Sequence, residues 1–427
     1  MKKRTLFSSL LFIFLVVLPF GDAYAAPKKS REQPKLININ FIDQHGVSET
    51  INNPERLKQY EKIDFLSTQP YKKIMRVYTR DDQGLIHAII NSYHPSGLPK
   101  QYLEVINGRA YGYYREWFTN GCLKVEAYVI NGEADLNPES QVTWLFDGLS
   151  RAWDEKGNLI AEIPYENGEF EGIAVYYHPN GNLWKKVPLH KNLIKGTCEF
   201  YLENGDLFQT VHFSNGEKEG PSRRYWPDGS FAANETYCEG NLVDGEYYNR
   251  EGNLISRIEC GKGFRPLFGK DNIIELQEYF GGVQDGLVKV FNKDGKVSKI
   301  YHIKNGMKHG EEIDYYNNSS KPKISINWSE DKIQGLVKTW YASGILESQK
   351  EMAANTKNGI LTAWYNDGSL MLIEEYDHDK LLKGEYYKKG DKFPVSFIME
   401  GKGIAHFYDQ DGIFLRKVAY RYGRPEE

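Results

Sequence analysis

A glycine that returns about every 24 residues constrains this chain more than any other feature of it. It stands at Gly97, Gly121, Gly157, Gly181, Gly205, Gly229, Gly252, Gly295, Gly344, Gly368 and Gly412. Four residues before each comes an aromatic: Tyr93, Trp117, Trp153, Tyr177, Tyr201, Tyr225, Tyr248, Phe291, Trp340, Trp364 and Tyr408. Two residues after most of them comes an apolar side chain, as at Leu123, Leu159, Leu183, Leu207 and Phe231. A unit of one ring, one turn and one aliphatic is too small to bury a core alone, so the period implies units stacked on their neighbours.

The turn chemistry names the unit. Pro95-Ser96-Gly97, Pro179-Asn180-Gly181 and Pro227-Asp228-Gly229 exclude a type I′ turn, because proline cannot take a positive φ. They fit a three-residue loop in which a type I turn is closed by a left-handed glycine. In that register the aromatic four before the glycine faces the apolar residue two after it, a cross-strand pair worth about 0.2 to 1 kcal/mol over alanines. A second turn follows about 11 residues later, at Asn131-Gly132, Asn167-Gly168, Asn215-Gly216, Asn305-Gly306 and Tyr422-Gly423. The expected fold is all-β: an elongated array of stacked antiparallel hairpins, about 24 residues per repeat, over residues 83–427.

Two stretches interrupt the period, near 133–146 and 261–282, and as insertions in a repeat array they are the expected seats of specific function. Residues 26–82 lack the repeat. They read as a linker followed by a small N-terminal cap, with Leu36 to Phe41 alternating as a strand and Asn53-Pro54-Glu55 opening a helix. Residues 1–25 carry Lys2, Lys3 and Arg4, an apolar run to Phe20 and Ala23-Tyr24-Ala25. This is the pattern of a signal peptide cleaved after Ala25, and the run is too short for a membrane span. The expected location is the periplasm, the cell surface or the outside medium.

The copy Tyr165-Glu-Asn-Gly-Glu-Phe-Glu-Gly172-Ile-Ala-Val-Tyr-Tyr177-His-Pro-Asn-Gly181-Asn-Leu183 resembles the bacterial variant of the MORN repeat, in proteins often grouped as a YwqK-like antitoxin family. The resemblance runs from about Gly84 to Gly423. It implies a stack of hairpins acting in protein or membrane association, with no family-wide catalytic residues. The leader departs from the antitoxin role, since a cytoplasmic toxin is not met outside the cytoplasm.

Enzyme motifs are missing from the sequence: there is no HExxH, CxxC or GxSxG. Residues 263–270 miss a phosphate loop by spacing and by Asp271 where Ser or Thr should follow the lysine. Catalytic residues, a cofactor and a metal site are therefore not expected, and His94 and His178 read as turn-edge residues. A formal net charge of −4 argues against nucleic acid as partner and disfavours a membrane surface. The chain holds 30 Tyr and 8 Trp, and its repeated rings supply the candidate binding residues: Trp117, Trp153, Tyr177, Tyr201, Tyr225, Trp340 and Trp364. Two residues before three of the rings stand Arg115, Arg151 and Arg223. By alternation these share the ring face, and Arg, Tyr and Trp dominate protein-binding hot spots. Regular rings also serve as core.

The expected function is an exported, non-enzymatic scaffold that binds another protein. The alternative is a wall or surface glycan binder using the rings as a ladder of weak sites. Cys238 and Cys260 sit near equivalent places in adjacent copies. They are candidates for a disulfide, or else free thiols, because a one-residue offset turns one of them to the other face.

Overall fold

A computed structural model describes residues 34–69 and 72–426, and the leader expected at 1–25 lies outside the described residues. Among the described residues the strands form a single 35-stranded antiparallel sheet, in which Lys35–Asp43 lies between Ser48–Ile51, at one end, and Lys72–Arg80, and the hairpins then follow in chain order to Arg424–Pro425 at the other end. The all-β hairpin array expected from the glycine period is what the chain forms.

Each period folds as its turn residues dictate. At His94 the backbone N–H of Gly97 donates to His94 O at 2.8 Å and that of His94 to Leu98 O at 2.8 Å, a three-residue loop with Gly97 at φ 87°. The ring then faces the aliphatic in register: Trp117 with Leu123, Trp153 with Leu159, Tyr177 with Leu183, Tyr201 with Leu207 and Tyr225 with Phe231. The opposite sheet edge uses two-residue turns with positive φ at both positions, as at Asn167 and Gly168 (51° and 89°), the type I′ signature. Asn131 is the exception among the turns expected there: only Gly132 has a positive φ, because the chain leaves the hairpin for an insertion.

The core does not lie under these rings. It is a second cross-strand row, seven residues before the turn glycine and six after it, where Ala174 faces Val187, Cys198 faces Val211 and Val288 faces Tyr301. Ala174, Cys198 and Val288 are all buried. Between residues 231 and 268 the sheet curls toward that face. Arg265 on strand Lys262–Phe268 touches Glu235 on strand Phe231–Cys238 at 2.7 Å, although three inter-strand steps in a flat sheet would separate them by about 14 Å.

The interruptions differ from expectation. Residues 133–146 do not project as a binding loop. They include a one-turn helix, Pro138–Gln141, and fold back to bury Leu136 and Trp144 against Tyr114, Val129 and Leu103. Trp144 Nε1 donates to Glu133 O at 2.8 Å and Arg76 reaches Asp135 at 3.1 Å, so the segment is a plug for the first core cluster. Residues 261–282 are one more hairpin of the sheet, Lys262–Phe268 with Ile273–Phe280. It closes at Gly269 to Asn272 without the periodic glycine, which is why the repeat count loses it. At the N-terminal end Asn53 caps the one-turn helix Pro54–Leu57 as its sequence requires, and two strands, Lys35–Asp43 and Ser48–Ile51, complete the cap.

Candidate functional site

Cross-strand register joins the cations singled out in the sequence into one line on the face opposite the core, and the rings stand two residues further along the same strands, nearer each turn. From strand to strand the line reads Tyr102, Arg115, Glu126, Arg151, Glu162, Val175, Lys186, Glu199. Opposite charges sit side by side along it, the arrangement that stabilises a sheet face exposed to water. Arg115 Nε lies 2.8 Å from Glu126, and its guanidinium carbon Cζ lies 4.8 Å from the Tyr113 ring centroid. Arg151 Nε lies 3.0 Å from Glu162, whose other oxygen accepts the Tyr177 hydroxyl at 2.9 Å. The Tyr201 hydroxyl donates to Glu199 at 2.6 Å, and Lys186 stands 3.3 Å from the same carboxylate. Those bonds hold Glu199 below the ordinary glutamate value, with Tyr201 as the largest cause, and hold Lys186 above the ordinary lysine value through Glu199.

Two of the three arginines are ion-paired within the strip. Arg115 and Arg151 are half-buried and ion-paired, whereas Arg223 is exposed and faces Asn234. Trp117, Trp153, Tyr177, Tyr201, Tyr225, Trp340 and Trp364 are all half-buried. Each ring faces an apolar partner in register, and with its half-exposure this makes the line a partly exposed amphipathic strip.

A second set of side chains, one residue nearer each turn, ties successive repeats together. His94 Nε2 meets Trp117 O at 3.1 Å and His178 Nε2 meets Tyr201 O at 3.0 Å. Trp226, Tyr341 and Tyr365 donate to the backbone oxygens of Tyr248, Trp364 and Tyr387 at 3.2, 2.8 and 2.7 Å, and Tyr316 donates to that of Trp340. The two histidines are thus members of a structural series with the turn-edge role expected of them. Its other members escape a sequence reading because His, Trp and Tyr share only a donor at the ring's far end.

One relationship has a sequence signal of its own that the 24-residue period hides. Glu235-x-Tyr237, Leu242, Gly245-Glu-Tyr247-Tyr248 and Gly261-Lys-Gly263 return as Glu374-x-Tyr376, Leu381, Gly384-Glu-Tyr386-Tyr387 and Gly401-Lys-Gly403. The two segments build the same buried cluster. Glu235 accepts Tyr237 at 2.8 Å and Tyr247 at 3.0 Å; Glu374 accepts Tyr376 at 2.9 Å and Tyr386 at 2.8 Å.

Cys238 and Cys260 are free and exposed, so the candidate disulfide between them does not form. Cys260 is the first residue of a type I′ turn, at φ 50°, while Cys238 is a strand residue paired with Asn241. The one-residue offset places the two thiols at different points of their turns. Among the described residues no group of three or more His, Cys, Asp or Glu side chains is placed to hold a metal, and no helix is long and apolar enough to cross a membrane.

A family model described as a MORN repeat variant matches residues 146–167 and 170–192, two periods of the strip just described, so the chain carries repeats of this type. No curated protein matches the sequence. Among solved structures, a porin-like protein from Bacteroides uniformis ATCC 8492 aligns at 12% identity over 58% of this chain and 95% of that one, with a TM-score of 0.15. At that score the likeness carries no argument.

Proposed function

We propose that the protein is an exported, non-enzymatic β-repeat scaffold that binds another protein along the charged, ring-bearing face of its sheet. The observation that carries this reading is the strip itself. Arg, Trp and Tyr side chains stand at equivalent, half-buried positions on a rigid ladder, and these residue types supply large contact area at small entropic cost. The ion pairs within the strip fix the side chains before a partner arrives, which lowers the ordering penalty of association. The leader-like segment at residues 1–25 supports export to the cell envelope or beyond.

The test uses tagged mature protein, residues 26–427, to capture species from a cell-envelope extract. A stoichiometric protein partner is expected with the native strip and is expected to be lost with the double variant R115Q/R151Q, whose melting temperature should stay near the native one. Glycan fragments captured without protein would overturn the scaffold reading in favour of a glycan ladder. Protein isolated from its own cells should begin at Ala26, and an intact Met1 there would overturn export by cleavage.

A further inference from the structure

The charged line changes character halfway along the sheet. In its first part each of Arg115, Arg151 and Lys186 has a carboxylate beside it in register. Lys289, at the matching place on strand Val283–Phe291, has Leu276 on one side and Ile300 on the other. Neither Lys289 nor Lys296 has a carboxylate within 4.0 Å among the described residues. The two lysines line a groove of about 700 Å³ together with Val297, Ile300, Tyr315 and the loop 318–320. That loop is one residue longer than its counterparts: Tyr315 faces Pro322, seven residues on, whereas Tyr177 faces Leu183, six residues on. Asn318, at φ 54°, takes over the left-handed position that glycine holds elsewhere.

We infer that this groove docks an acidic segment of the partner protein. A carboxylate of that segment sits between Lys289 and Lys296, supplying the charge that Glu126 and Glu162 supply within the chain, and an adjoining apolar side chain packs on Ile300, Val297 and the Tyr315 ring. The apolar floor selects a peptide carboxylate over a free inorganic anion, because it rewards a ligand that brings apolar surface with its charge. The inference rests on the protein-binding reading above and specifies the chemistry of the partner.

The probe is a fluorescent synthetic peptide of alternating Glu and Phe, titrated against mature full-length protein by anisotropy. Saturable binding is expected, with roughly tenfold weaker binding of the Gln/Phe peptide and of the K289Q/K296Q variant to the Glu/Phe peptide, the loss of one charge-assisted contact. K156Q, in a distant turn, should bind as the native chain does. Equal binding by K289Q/K296Q, or an oligogalacturonate that displaces the peptide at lower concentration than unlabelled peptide does, would overturn the inference. An envelope protein captured equally well by native and K289Q/K296Q chains would overturn the groove and leave the scaffold reading standing. Capture of no protein would overturn that reading whatever the peptide does.

Discussion

Glu235 and Glu374 occupy equivalent positions in two copies of one sheet segment, and among the described residues only Glu235 has an ion-pair partner. Arg265 lies 2.7 Å from Glu235, while Ala405 stands at the matching place beside Glu374. Both carboxylates are about 5% exposed. Arg224, whose ring contacts include Phe268 at 5.3 Å, likewise has Ala363 as its counterpart. The first copy has therefore built an ionic cluster into a position that the second satisfies with tyrosine hydroxyls alone.

Breaking the ionic copy should cost more than altering the neutral one. Arg265→Ala leaves Glu235 buried without its cation, a change expected to destabilise by about 3 to 5 kcal/mol. Glu374→Gln keeps an acceptor for the Tyr376 and Tyr386 hydroxyls and should cost about 1 kcal/mol. Urea titrations followed by hydrogen exchange check both, since a repeat array can open locally. In R265A the loss of protection should centre on residues 231–268. If the two variants prove equally stable, Arg265 is not what holds Glu235 in place.

Acid should find the same cluster. Burial pushes the Glu235 carboxyl up, but Arg265 and the Tyr237 and Tyr247 hydroxyls outweigh it, and the group titrates below its ordinary value of 4.5. Glu312 is likewise lowered, with burial overcome by Lys308 at 2.6 Å and Lys299 at 2.9 Å. A group whose folded value is depressed contributes its full stability above the unfolded value and loses it as pH falls through the folded one. Stability should therefore hold from pH 7 to about 5 and drop below about pH 4, and E235Q/E312Q should flatten that drop. Denaturation midpoints measured between pH 3 and 7 decide it; a slope unchanged in the double variant would place the acid lability elsewhere.

The inter-repeat bonds give a third outcome. Tyr365 is fully buried and its hydroxyl donates to Tyr387 O at 2.7 Å, and burial pushes that phenol up to about 12. Tyr365→Phe leaves a buried carbonyl oxygen without this donor and should cost about 1 to 3 kcal/mol, with Tyr341→Phe at the lower end of that range. Thermal melts of the two variants should rank in that order, and a Y365F melting point equal to native would mean that Tyr387 O has another donor.

The hairpin unit, its turn type and its ring-to-aliphatic register were all legible in the sequence, because glycine and proline carry backbone information that needs no partner. Trp117 facing Leu123 follows from Pro-x-Gly geometry in the neighbouring copies. The core was not legible. The buried row holds Ala174, Cys198, Ser222 and Val288, residues with no common chemistry, and they share a row only through register across strands far apart in sequence. The insertion at 133–146 misled for the same reason: its Trp144 is a plug against Tyr114, at 4.9 Å between ring centroids, and nothing local distinguishes a plug from a binding loop. Of the candidate strip, the rings and arginines could be named from their spacing. Their carboxylate partners could not, since Glu126 and Glu162 become neighbours of Arg151 only once register across two different turns is known.

Two glycines separate conformational cost from steric cost. Gly252 closes a turn at φ 79° with nothing within 4 Å of where a Cβ would stand, so Gly252→Ala pays only the left-handed backbone, about 1 to 2 kcal/mol. Gly263 also has a positive φ, 143°, but its Cβ would collide with the backbone oxygen of Arg257 and approach Ile258 Cα at 3.1 Å. Neither obstacle is the end of a flexible side chain, and both belong to the strand that pairs with Gly263. Gly263→Ala must therefore part that pairing or shift the turn, and it should destabilise well beyond Gly252→Ala. The same holds for Gly403, whose Cβ would meet the Phe397 backbone oxygen in the second copy. Measured melting temperatures should fall in the order native, G252A, then G263A and G403A together. A G263A protein as stable as G252A would mean that the strand Leu254–Glu259 yields freely at this point, and that the close approach does not constrain the residue.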